Sequence, residues 1–272
     1  MARPIRIGAV RYLNSKPLIY RLDELAPQAQ LVLDVPSRLA DGLAAAELDV
    51  ALIPSIEYFR GRDYQIVPDM AIAAHGPVLS VKLYCRVPMA EVRSVALDEG
   101  SRTSVALTSI LFHRRHGLRP ERRPLPLGQP AEESNADAVL VIGDRAIRPL
   151  ELGQVETYDL GEEWLKETGL PFVFAMWVAR DGLNLGDVDA ALRRAKRLGT
   201  SRVREIADRE GPPLGLSPDD CRRYLTEFIR FDLGPRELQG LKLFYDSCVA
   251  MQLAQPGVPL VFYGQQDLAA VR

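Results

Sequence analysis

Ser101, Thr103 and Ser104 place three hydroxyls within four residues, directly after Gly100 and at the start of the apolar run Val105 to His113. Hydroxyls and loosened backbone at a helix start gather N–H donors at the positive end of the helix dipole, an arrangement that suits a carboxylate or a phosphate. One hydroxyl is enough for a cap, so the turn reads either as an anion site or as an N-cap. Asn14 and Ser15 stand in a similar place, between the apolar run Ile5 to Val10 and a helix entered through Pro17. Both residue types cap helices, and the free N–H groups of that helix would point out of the carboxyl end of the strand. Pro54 and Ser55 repeat the pattern, and Gly143-Asp144 follows the run AVLVI. Asp144 can cap a helix, order a substrate hydroxyl or act as a base. Ser80, inside an apolar stretch, reads by itself as a serine satisfied by neighbouring backbone.

These residues need strands that end together. Ile5 to Val10, Gln30 to Val35 and Asp49 to Ile53 read as buried strands, with a helix from Ser37 carrying Leu39, Leu43 and Ala46 at helical spacing. Strand, helix and strand in this rhythm make a parallel sheet. Gln65 to Ala74 adds a strand, and Val78 to Arg86 carries the chain into a second series. That series comprises strands at Val95 to Leu97, Pro124 to Leu127, Ala138 to Ile142 and Val155 to Leu160, with helices over 105–113 and 162–168. Pro171 to Ala179 is long and apolar enough to cross back. Helices then fill 187–198, 201–210, 218–228 and 235–251. The expected fold class is α/β, with two lobes around a cleft where strand ends converge. The first lobe spans 1–88 and 176–272 and takes the C-terminal helices; the second spans 89–175.

Composition narrows the function. Of 272 residues 34 are basic and 36 acidic, a formal net charge of -2, so no field favours nucleic acid or an anionic membrane. Cys85, Cys221 and Cys248 lie far apart and fit neither a disulfide framework nor a zinc site, which points to core or surface thiols in a reducing compartment. The N-terminus lacks the apolar core of about 7–15 residues that a secretory leader needs, and the expected location is cytoplasmic. GxGxxG, P-loop and GxSxG motifs are absent, the histidines are too few for a histidine metal cluster, and His113 and His116 belong on the back of their helix. Core packing is the expected place of Trp164 and Trp177.

Taken in order, Tyr12-Leu13-Asn14 with Pro17, Asp49 to Ser55 (DVALIPS), Gly76 to Val81 (GPVLSV), Ser101 to Ser104, Ile142 to Ala146 (IGDRA), and Trp164 with Gly169 to Trp177 resemble the chorismate dehydratase family of the futalosine route to menaquinone. The likeness runs from Ile5 to about Phe244. It implies a two-lobed type II periplasmic-binding-protein fold with an interlobe cleft, used as a cytoplasmic lyase. It also implies loss of water from chorismate to give 3-[(1-carboxyvinyl)oxy]benzoate, without metal or organic cofactor. By that likeness Asn14 and Ser80 are the active-site pair, the hydroxyl turn Ser101, Thr103 and Ser104 anchors a carboxylate, and Tyr12, Ser55 and Gly143 join the substrate contacts. Asp144 is the protein's own candidate for a base, and a carboxylate of the substrate is the other. The competing reading is a cytoplasmic small-anion binding protein on the same fold.

Overall fold

A computed structural model of the chain describes residues 3–264. Ten strands build two five-stranded sheets. The first contains β1 (Arg6–Val10), β2 (Gln30–Asp34), β3 (Val50–Pro54), β4 (Tyr64–Ala74) and, from much later in the chain, β10 (Phe172–Arg180), in the order β2-β1-β3-β10-β4. The second contains β5 (Val81–Cys85), β6 (Ser94–Asp98), β7 (Glu121–Leu125), β8 (Ala138–Ile142) and β9 (Glu156–Asp159), in the order β7-β6-β8-β5-β9. The runs VALIP and AVLVI are buried at every position, which is what a central strand covered on both faces requires.

Neither sheet is purely parallel. β10 runs antiparallel to both β3 and β4, and β5 runs antiparallel to both β8 and β9, while the remaining pairs are parallel. The odd strand in each sheet is the one that arrives from the other lobe. A chain leaving one sheet at the cleft enters the next from the cleft side, and must run away from it. The crossings also fall earlier than the expected 88/89 and 175/176 boundaries, because β5 already pairs within the second sheet and β10 starts at Phe172 in the first. Residues 1–2 and 265–272 of the expected first lobe lie outside the described residues.

The helices over 187–201, 203–210, 218–223 and 235–250 follow β10, and residues they bury, Leu192, Ile206, Cys221 and Leu241 among them, join the same hydrophobic cluster as the first sheet. Trp164 and Trp177 are wholly buried, as expected of core residues. Asp49, at the end of the first sheet opposite the cleft, receives Arg3 at 2.7 Å, Arg180 at 2.9 Å and the Arg6 N–H at 2.9 Å. Burial alone would raise its pKa, but these donors hold the carboxyl below its ordinary value. No helix among the described residues is long and apolar enough to cross a membrane.

The first crossing is tied down by a residue whose role is invisible in the sequence. Asp159 caps the helix Leu160–Thr168 through the N–H groups of Gly161 and Glu162, and it also accepts the N–H groups of Val78 at 2.9 Å and Leu79 at 2.7 Å. Leu79 sits at φ +58°, a left-handed conformation that a branched aliphatic residue adopts only when its surroundings impose it. Asp159→Ala should therefore cost about 2 kcal/mol or more, a lost helix cap together with a turn deprived of its charged acceptor. Urea unfolding measures this, and a loss below about 0.5 kcal/mol, the range of an ordinary surface change, would show that the turn holds itself.

Candidate active site

The carboxyl ends of β1 and β8, the start of the helix Pro36–Ala44 and the turn before β5 meet in one cleft between the sheets. Its walls bring together Tyr12, Asn14, Ser80, Ser101, Ser104 and Gly143 from the expected set, with Val10, Ile72, Val78 and Phe174 as apolar lining. The space between its atoms amounts to about 450 Å³.

Asn14 is not a cap. The segment Leu13–Ile19 is a 3₁₀ helix with Pro17 inside it, its first residue follows Tyr12 without any side-chain cap, and Ser15 turns inward to donate to the carbonyls of Val10 and Tyr12. Asn14 is thereby left facing the cleft, with its amide oxygen buried and unpartnered. Ser80 follows the strained Leu79, donates to the Val78 carbonyl at 3.3 Å, and its own carbonyl accepts the Gly143 N–H at 2.9 Å. That last bond locks the Ser80 turn onto the end of β8.

Of the three hydroxyls in the turn, two serve the cleft. Ser101 caps the helix Arg102–His116, accepting the Ser104 N–H at 3.4 Å, and its Oγ lies 3.0 Å from that of Ser104. Thr103 points elsewhere: its Oγ1 accepts the Ile56 N–H at 3.2 Å and lies 3.3 Å from Ser55 Oγ, which donates to the Val173 carbonyl at 2.8 Å. Ser55 and Thr103 are fully buried and stand outside the cleft lining. They stitch the lobes together, which corrects their expected place among substrate contacts. The Ser37 N–H adds a further tie by donating to the Gly100 carbonyl at 3.1 Å.

Asp144 likewise stands outside the cleft lining. It borders a neighbouring hollow with Arg11, Asp98 and Arg145, separated from the cleft by Tyr12, and it accepts the Leu13 N–H at 2.8 Å across the lobes. Burial pushes its pKa up to about 6, against the lowering effect of the Leu13 bond. The Tyr12 ring lies flat on Gly143, where an added Cβ would come within 2.8 Å of the ring, and Gly143 itself has φ +77° and ψ -159°, a conformation open essentially to glycine alone. Burial, and secondarily the Asp98 carboxylate, pushes the Tyr12 phenol up to about 12, so it remains a neutral donor.

No lysine or arginine lines the cleft among the described residues. Arg145, which borders the neighbouring hollow, is spent on Asp98 at 2.5 Å, and Asp98 in turn accepts the N–H groups of Gly100 and Ile142. Positive potential comes instead from the starts of the helices Pro36–Ala44 and Arg102–His116, which converge on the cleft from opposite lobes. Sequence reasoning missed Tyr224, which reads as an ordinary core position in a C-terminal helix; it is 1% exposed and its hydroxyl has no hydrogen-bond partner. No group of three or more His, Cys, Asp or Glu gathers at metal-binding distance among the described residues.

A model of a family described as menaquinone biosynthesis matches residues 5–250. The chain belongs to that family. Among its relatives, a chorismate dehydratase of Thermus thermophilus is 34% identical over 281 residues, covering 96% of this chain and 99% of the relative. A solved structure from Archaeoglobus fulgidus superposes with a TM-score of 0.70 at 15% identity, covering 93% of this chain and 99% of its own. A Candida albicans protein described as having the generic periplasmic binding protein fold superposes at 0.60 with 10% identity, covering 98% and 100%. This member of the family thus has the expected two-lobed type II periplasmic-binding-protein fold.

The raised pKa of Asp144 gives a signed expectation. Between its ordinary value of 3.8 and about 6 the folded chain keeps a proton that the unfolded chain releases, so this group's contribution to stability falls as pH rises through that window. Asp144→Asn keeps an oxygen for the Leu13 N–H and removes the titration. The stability of the variant relative to the parent, from urea unfolding, should rise between about pH 4 and pH 6 and then level off; a constant difference would assign Asp144 an ordinary pKa.

Proposed function

We propose that this chain dehydrates chorismate to 3-[(1-carboxyvinyl)oxy]benzoate and water in menaquinone synthesis, as a hydro-lyase working in the cytoplasm without metal or organic cofactor. The observation that carries the reading is the meeting of Asn14 and Ser80, one from each lobe, on a single cleft in a member of the menaquinone biosynthesis family. Three buried, unpaired cysteines are in keeping with a reducing compartment.

The chemistry asks little of the protein. A ring proton and the ring hydroxyl leave together as water, the C–H electrons complete an aromatic ring, and the gain of aromaticity drives the step. The enzyme's part is to hold a dianion in one pose and to stabilise the departing hydroxyl. Ser101, Ser104 and the two helix starts offer dipoles to a carboxylate, Tyr12 closes over the ring, and Asn14 and Ser80 point polar groups at the departing hydroxyl. Since Asp144 lies beyond Tyr12, a carboxylate of the substrate itself takes the ring proton in this reading and passes it to the departing hydroxyl, which leaves as water.

Incubation with chorismate should give the benzoate product one for one, followed by ultraviolet absorbance and chromatography. Binding of chorismate with no product would support the small-anion binding protein instead. Asn14→Ala and Ser80→Ala should each lower kcat about a hundredfold or more, while Asp144→Asn changes it only a few-fold. Near-normal turnover in Asn14→Ala would remove that residue from the mechanism.

A further inference from the structure

Arg102 opens the helix Arg102–His116 of the second lobe, between Ser101, which caps that helix, and Thr103. Its guanidinium reaches out of that lobe. Nη2 donates to both carboxylate oxygens of Asp41 at 2.8 Å, in the helix Pro36–Ala44, and Nη1 donates to Glu57 at 3.0 Å, in the helix Ser55–Arg60. One cation at the start of a second-lobe helix thus bridges two helices of the first lobe. Among the described residues, Arg102 is the only one whose ion pairs join the two lobes.

The two arms of the bridge differ. The Asp41 side chain is 61% exposed, and a pair with it alone would be screened by water and salt; the Glu57 side chain is 14% exposed and far better sheltered. A planar guanidinium serves both carboxylates at once, which a single ammonium holds less well. Uncharged ties flank it on the same turn: the Gly100 carbonyl accepts the Ser37 N–H at 3.1 Å, and Thr103 Oγ1 accepts the Ile56 N–H at 3.2 Å. Ser101 and Ser104, from the same turn, line the cleft, whereas Arg102 does not.

We propose that Arg102 is a positioning residue for the dehydration: its bridge to Asp41 and Glu57 fastens the hydroxyl turn to the first lobe and so sets Ser101 and Ser104 at the right separation from Asn14 across the cleft. The inference rests on the reading of chorismate as the substrate. Arg102 touches no reacting atom, and its donors are already given to two carboxylates of the protein. An interaction that holds the lobes together acts on the fraction of chains in the arrangement that binds substrate, so its loss appears in KM, while the groups that meet the substrate, and with them kcat, are left as they were.

Arg102→Ala should raise KM for chorismate about 5–10-fold with kcat within about twofold of wild type, and lower Tm by less than about 3 °C. Asp41→Ala, which leaves the Glu57 arm, should raise KM about twofold. Combined with Arg102→Ala it should add nothing, since its effect passes through the guanidinium. Wild-type KM in Arg102→Ala, a fall in kcat as large as the rise in KM, or additive effects in the double variant would each overturn the proposal. A Tm lower by more than about 5 °C would do so too, by marking Arg102 as an anchor of the fold. A wild-type chain that binds chorismate without turnover would refute the dehydratase reading alone; calorimetric Kd values for the same variants would then carry the comparison, with the same 5–10-fold weakening expected in Arg102→Ala.

Discussion

Everything in this molecule depends on the direction in which the chain enters each sheet. β5 and β10 start at the cleft and run away from it, against the other four strands of their sheets, so those strands end where the crossing strands begin. Two sets of strand ends then face the same gap. Helix starts follow strand ends, so the dipoles of the helices Pro36–Ala44 and Arg102–His116 face that gap too. The site is a consequence of topology before it is a consequence of any one side chain.

Charge is kept out of the cleft and used around it. Asp49 clamps the far end of the first sheet, Arg145 and Asp98 secure the ends of β6 and β8, and Asp144 reaches across to Leu13. Within the walls remain hydroxyls, an amide, backbone dipoles and apolar surface. Such a lining suits an elimination whose driving force lies in the substrate. Fixed dipoles orient a dianion without requiring a strong base there.

The hydroxyl turn shows how far residue types can be read. Its composition implied an anion site or a cap; Ser101 caps the helix, and Ser101 and Ser104 also line the cleft. Thr103 has the same chemistry as its neighbours, but it lies on the other side of the helix, against Ser55 and Ile56. Asn14 looked like a cap because its spacing before Pro17 matches one; the 3₁₀ geometry of Leu13–Ile19 puts Ser15 on the backbone instead and frees Asn14. Ser80 had no signal of its own. Its place comes from the left-handed Leu79 and from Asp159, more than seventy residues further along the chain.

Alternating apolar runs, proline and glycine punctuation and the repeated strand-to-helix junctions determined the α/β class, nearly every element and the two crossings, because local periodicity and turn chemistry are written residue by residue. The order of quoted motifs determined the family resemblance. Only the tertiary structure decided that β5 and β10 run antiparallel, that Ser55 and Thr103 join the lobes, and that Asp144 sits behind Tyr12. Each of those facts is a contact between residues distant in the chain, and what decides such a contact is the packing of whole sheets and helices, which no local pattern encodes.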